Sequence, residues 1–222
     1  MFQLPRAFAQ TASSADATSS QNSPSSETEK KRLSVNPLTG LATSPGSDYR
    51  PLTPGDRWRL YWNQNYTSVG AYFGPFAAAL VLDQARSNPY QWGGGVPGYG
   101  RRVTSRVGGA IVQGTFQAPV AALLKEDVRY IASDRRSAKR RALHAVLYSF
   151  LTYSKHGRPT LNIANLGGYY ASSAASTLWL PGHYNVAAHA LSDASLQIAL
   201  TIPVNIFQEF WPDIDQRLLH RH

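Results

Sequence analysis

The sequence predicts an all-α protein, a bundle of five or six helices with small-residue packing faces, of a kind suited to embedding in a membrane. Three observations predict it: charge falls into islands separated by long uncharged stretches, proline and glycine punctuate the chain at helix-length intervals, and small residues recur four apart. Only 16 % of the 222 residues are charged, well under the roughly 25 % of an ordinary soluble domain.

The first fifty or so residues differ from the rest. Ala7 and Ala9 in the run R-A-F-A-Q present the small side chains that a signal peptidase accepts, so residues 1–9 read as the remnant of a signal peptide whose apolar run lies upstream of Met1. That predicts export to the cell envelope, to the periplasm or to a membrane. Residues 10–53 are rich in Ser, Thr, Ala, Asn and Pro, too poor in large apolar side chains to offset chain entropy, and are expected to form a disordered Ser/Thr-rich leader. A helical domain is expected over 54–216 and a tail over 217–222. Its start is marked by Thr53 as a cap, Pro54 at the first helical position and Asp56 in the first turn.

Beyond that point no charge occurs between Arg59 and Asp83 (23 residues), between Arg106 and Lys125 (18 residues) or between Arg158 and Asp193 (34 residues). Stretches of this length approach what a bilayer crossing needs. They also contain Asn, Gln, Ser, Thr and Gly, which suits helices that face one another. Helices are expected near 55–65, 68–87, 101–127, 134–153, 160–179 and 186–211, with Pro75, Pro119 and Pro203 kinking or starting three of them. The clearest periodicity is Leu143, Val146, Leu147, Phe150 and Leu151 on one stripe. Gly93 to Gly100 reads as a loop, and Pro181-Gly182 as a break. The alternative architecture is an outer-membrane β-barrel, which an aromatic-rich exported chain could supply. Strict apolar/polar alternation is missing from most segments.

Three rows of small residues at helical spacing are candidate helix-packing faces: Gly70, Gly74 and Ala78; Ala110, Gly114, Ala118 and Ala122; Ala164, Gly168, Ser172 and Ser176. Lys and Arg exceed Asp and Glu by 22 to 13, for a net charge of +9. The surplus clusters, making Arg101 and Arg102 beside the glycine loop, and Arg135, Arg136, Lys139, Arg140 and Arg141, candidates for anion binding at a lipid surface. The glycine loop has neither the P-loop nor the dinucleotide spacing. Nucleic acid is not an expected partner, and no small-molecule ligand is indicated.

The chain has no cysteine, which excludes disulfides, thiolate nucleophiles and cysteine-ligated metals. None of the six histidines sits in a compact metal-ligand spacing, so neither metal nor cofactor is expected. His189 and Asp193 would share a helix face, an arrangement that can orient a general base. The carboxylate groups Glu126/Asp127 and Glu209/Asp213/Asp215 have Lys125, Arg129 and Arg217 at helical spacing, which reads as ion pairing.

Lys155-His156-Gly157-Arg158-Pro159, followed by Pro181-Gly182-His183, His189 and Asp193, resembles part of the membrane phosphatidic-acid-phosphatase type 2 superfamily. That resemblance implies a helical membrane bundle in which the lysine and the Arg-Pro pair hold a phosphate, one histidine protonates the leaving group and another attacks. The superfamily's Ser before Gly-His, and its Ser-Arg before the second histidine, are absent here. Over most of its body the chain also resembles small uncharacterised bacterial exported proteins, through G-A-Y-F-G-P, W-G-G-G-V-P-G-Y-G-R-R, L-K-E-D-V-R-Y and Q-E-F-W-P-D-I. This second resemblance implies export and a shared fold, with no activity attached.

The expectation is therefore a non-enzymatic, membrane-associated envelope protein with its basic segment 135–141 on an anionic lipid surface; a homo-oligomer is compatible with it. The alternatives are a diverged phosphatase acting on a lipid phosphate through Arg158, His183 and His189, and a soluble periplasmic scaffold or binding module.

Overall fold

The computed structural model describes residues 43–45, 49–134 and 137–219. The signal-peptide remnant, most of the leader, Arg135, Arg136 and the last residues of the tail lie outside them. Strand β1 (Thr43–Pro45) is followed by helices α1 (Pro54–Trp62), α2 (Gly70–Ala78) and α3 (Gly95–Leu124), strand β2 (Tyr130–Ala132) and helix α4 (Ala138–Leu147). Strands β3 (Leu151–Tyr153) and β4 (Pro159–Leu161) and helices α5 (Ile163–Ser176) and α6 (Val186–Leu219) complete the chain. The all-α class and the number of helices agree with the sequence. Among the described residues the strands form only two two-stranded ladders, β1 with β2 in parallel and β3 with β4 antiparallel, so no barrel forms.

Helix α1 starts as its sequence dictates: Asp56 N–H donates to Thr53 Oγ1, the Asp56 carboxylate accepts from Thr53 N–H, and Pro54 fills the first turn. Asn63–Thr67 and Ala79–Gln84 continue α1 and α2 as π-helical turns, the wider winding often found at functional positions. Pro75, Pro119 and Pro203 all lie inside helices, where each removes one backbone donor without ending the helix.

Several boundaries differ from expectation; the helix expected over 160–179 starts only at Ile163, after strand β4 has taken Pro159–Leu161. Helix α3 begins at Gly95, inside the glycine run, because Pro97 in its first turn needs no intrahelical donor. A Cβ at Gly98 would meet the Gly93 carbonyl oxygen at 2.4 Å, so only glycine lets the loop close on the helix. The stripe from Asp134 to Tyr153 is shorter than its periodicity implies, since α4 ends at Leu147 and Leu151–Tyr153 turns into β3. The leader joins the domain before residue 54: β1 pairs with β2, and Tyr49 OH donates to the Ser154 carbonyl. At the other end, α6 continues through Asp215 to Leu219, into the expected tail.

Helix α5 packs between α3 and α6. On the α3 side, Ser172 Oγ donates to the Gly109 carbonyl at 2.8 Å, and a Cβ on Gly168 would stand 3.1 Å from the Gln113 carbonyl oxygen. The row Ala164, Gly168, Ser172 and Ser176 is buried along its length, as small-residue packing requires. In the second row Gly114 is buried against Asn65, whereas Ala110 and Ala118 are half-buried and Ala122 is exposed. The first row is packed only loosely: Gly70 and Ala78 are half-buried, and Gly74 and Ala78 line a cavity facing α3 and α5. Helix α2 buries none of its residues, and a Cβ on Gly74 would meet nothing within 4 Å.

The charged residues collect at the two ends of the bundle. Arg106, Asp83 and Asp193 meet at one end; Arg57, Glu126, Asp127, Arg129, Arg141 and Glu209 make contacts at the other. Along α3, Arg106 and Lys125 are about 28 Å apart at 1.5 Å per residue, and Asp193 and Glu209 along α6 are about 24 Å apart. The faces between these layers are apolar and outward: Phe73 is 71 % exposed, and Val69, Leu80, Val81, Leu123 and, on α6, Val204 and Phe207 are also exposed.

Lys125 ends α3 in the left-handed region, with φ 59°, which for a side chain bearing a Cβ costs roughly 1–2 kcal/mol. Lys125→Gly is expected to raise stability by about 0.5–1 kcal/mol once glycine's greater unfolded freedom is subtracted. A thermal melt of the two proteins checks this.

Candidate functional site

Three polar assemblies line the inside of the bundle. At the first end, Arg106 of α3 makes a bidentate pair with Asp83 (2.7 and 2.8 Å) and lies 3.7 Å from Asp193 of α6. Asp83 reaches this point from the π-helical turn after α2. Asp193 also accepts from Ser173 Oγ and Gln197 Nε2, at 2.8 Å each. His189 stands one turn away, its Nε2 3.0 Å from Ser176 Oγ. Ser176 Oγ also donates to the Ser173 carbonyl at 2.7 Å, and the tautomer that satisfies both contacts is the one with Nε2 protonated, in which His189 is the donor. This is the reverse of what a histidine activating a serine nucleophile would need. Asp193 orients Ser173 and Gln197 rather than the imidazole.

In the middle, a cavity of about 300 Å³ opens between α3, α5, α6 and the π-helical turn after α1. Its walls carry side-chain amides from each of these elements, including Asn65, Gln113, Asn165, Asn205 and Gln208. Gln113 Nε2 donates to Asn165 Oδ1 at 3.1 Å, and Asn205 Nδ2 to Ser149 Oγ at 3.0 Å. Gln208 is 8 % exposed, and its Oε1 has no hydrogen-bond partner among the described residues. A second cavity of about 320 Å³ adjoins it, sharing Gln113, Tyr169 and Thr201 and reaching the Asp83–Arg106 pair and His189.

At the far end, the Glu209 carboxylate is fully buried and accepts from Tyr130 OH at 2.5 Å, from the Ser133 backbone N–H and from Arg141 Nε at 3.3 Å, with His144 Nδ1 at 3.4 Å. Arg141 also reaches Asp213 at 2.5 Å, and its guanidinium lies 4.5 Å from the centre of the Phe210 ring. Burial, and then the hydrogen bond to Glu209, push the Tyr130 hydroxyl far above its ordinary pKa, so it remains a donor at neutral pH. Burial, followed by neighbouring Tyr153, raises Tyr148 likewise. Glu126 caps α5, accepting from the N–H groups of Ile163 and Ala164, where a carboxylate also offsets the helix dipole. Asp127 forms a buried pair with Arg129 at 2.6 Å, and Arg129 also donates to the Arg50 carbonyl.

The structure sorts the residues singled out from sequence. His189 and Asp193 share one neighbourhood, but Arg158 lies in the β3–β4 turn, at the opposite end of α5, roughly 20 Å along its axis. His183 is exposed in the turn before α6. The three groups needed to hold and cleave a phosphate are therefore not brought together. Arg102 does not serve an anion: it is fully buried and donates to the carbonyls of Asn88, Pro89 and Gly93 and to Gln84 Oε1. Arg141 is likewise taken by Glu209 and Asp213. Arg101, Lys139 and Arg140 remain exposed. The carboxylates do form ion pairs, but Glu209 and Asp213 pair with Arg141 on another helix, and the Arg217 side chain lies outside the described residues.

Sequence reasoning missed Arg106 and the interior amides. The available signal was the presence of Asn and Gln within otherwise uncharged helices. Comparison with family models, with curated proteins and with solved structures returns no match to this chain.

Proposed function

We propose that this chain is a non-enzymatic, membrane-embedded helical bundle of the bacterial cell envelope. One observation carries the reading: two layers of charge stand about 24–28 Å apart along α3 and α6, close to the roughly 30 Å of a bilayer's hydrocarbon core. Two helices, Gly95–Leu124 and Val186–Trp211, are long and apolar enough to cross a membrane. Only 6 % and 17 % of their apolar windows are buried, whereas the core helix of a soluble bundle is mostly covered. The interior is polar and the exterior apolar, the arrangement that lipid favours.

Helix α4 fits the edge of such a bundle. Lys139, Arg140, Leu143 and Leu147 are exposed, so basic groups lie beside an outward apolar stripe, as in a helix resting on an anionic lipid surface. The Ala7–Ala9 motif supports export. The experiment is fractionation: the protein is expected to stay with membranes through washes in high salt and alkaline carbonate, because apolar burial is not screened as surface charge is. Release into the supernatant at low salt without detergent would instead favour a soluble periplasmic scaffold.

A further inference from the structure

We propose that the amide-lined cavity between α3, α5 and α6 is a binding site for a small uncharged polyhydroxylated ligand of monosaccharide size. This goes beyond the membrane reading and does not depend on it. The cavity measures about 300 Å³, room for on the order of ten waters or for one molecule of about a dozen heavy atoms.

Its chemistry selects the ligand. Gln64, Asn65, Gln113, Asn165, Asn205 and Gln208 all reach this wall, and each carboxamide offers both a donor and an acceptor without charge. Hydroxyl groups also donate and accept, so a polyol can meet such a wall at several points at once. The acceptor of Gln208 is buried and unpartnered, and an unmet buried acceptor is costly unless a donor reaches it. A ligand hydroxyl supplies that donor.

A charged ligand finds no counter-ion here. The Arg129 guanidinium at the cavity's edge is engaged by Asp127 and the Arg50 carbonyl, and Arg106 in the neighbouring cavity is held by Asp83. Taking an ion out of water into a neutral amide wall lacks a compensating partner.

The cavity also has a direction. Toward the Asp83–Arg106 end it joins the adjoining space of about 320 Å³. Toward Arg57 and Tyr61 it narrows to a space of about 20 Å³, enough for about one water. The site thus has its larger neighbouring space on the Asp83–Arg106 side.

The test is saturation-transfer NMR on the full chain in a detergent without a sugar head group, with D-glucose as the neutral probe and D-glucuronate as its charged counterpart. Glucose is expected to bind at millimolar concentration and glucuronate at least tenfold more weakly. Gln208→Leu should weaken glucose binding tenfold or more while leaving the thermal midpoint unchanged or raised, since it removes an unmet acceptor and breaks no bond of that oxygen. The outer-face variant Val81→Ala should bind as the parent does. Should Gln208→Leu fail to fold, Gln113→Leu tests the same loss of glucose binding, with a lower midpoint expected because its hydrogen bond to Asn165 is lost. Absence of glucose binding, equal binding of glucuronate, or glucose binding unchanged by the leucine variant would each overturn the assignment.

Discussion

Gly168→Leu is expected to lower the thermal midpoint of the purified protein in detergent by the equivalent of about 1–3 kcal/mol or more, the cost of overpacking a close contact. The neighbour at 3.1 Å is the Gln113 backbone carbonyl, which cannot rotate aside, so α3 and α5 must separate. Gly114→Leu should act in the same direction, because its Cβ would fall 2.1–2.6 Å from the side-chain atoms of Asn65. Asn65 is tied to the Tyr61 carbonyl and has one short side chain with which to yield. Helix propensity works against both effects, favouring leucine over glycine by somewhat under about 1 kcal/mol. At Gly94 and Gly74 an added Cβ meets no neighbour within 4 Å, so Gly94→Leu and Gly74→Leu should change the midpoint far less. Stable Gly114 and Gly168 variants would mean that these surfaces are not where the helices meet.

The second large effect is expected at Glu209. Its carboxylate holds α6 to α4 and β2 through Arg141, Tyr130 and the Ser133 N–H. Glu209→Ala leaves the Tyr130 hydroxyl and part of the Arg141 guanidinium facing a cavity, and removing one partner of a buried pair typically costs about 3–5 kcal/mol. Asp213 still binds Arg141, which places the loss toward the lower end of that range. Glu209→Gln keeps the volume and an acceptor but sets an N–H group among donors, so it should recover only part of the loss. Thermal denaturation of the three proteins reads the order; a variant as stable as the parent would show that α4 is held to α6 by packing alone.

Much of the architecture was legible in the sequence, because uncharged stretches of fixed length and proline-glycine breaks act locally. The row from Ala164 to Ser176 was readable for the same reason: a single helix sets its spacing. What was not legible depends on encounters across the chain. Leu143, Val146 and Leu147 are correctly helical, but Leu151 fits the same stripe and belongs to a strand, since its partner Leu161 lies beyond the turn. Gly74 matches the small-residue pattern but borders a cavity rather than a neighbouring helix, so a Cβ there meets nothing within 4 Å. Arg141 looked like surface charge until its two carboxylate partners on α6 were placed beside it. The interior amides were visible only as impurities in an apolar pattern, and their convergence on one cavity needed α3, α5 and α6 in register.

The setting of Arg102 has one more consequence. All four of its partners are neutral oxygens, three backbone carbonyls and one amide, and none of them can take up a proton at any pH the protein survives. The carboxylate junctions at Arg106 and Arg141 depend on ionised partners, which acid can neutralise. The guanidinium instead carries its own substitute for a hydration shell, built from the loop it secures. That end of the bundle therefore has a latch indifferent to acidity, and, being sealed from solvent, nearly indifferent to salt.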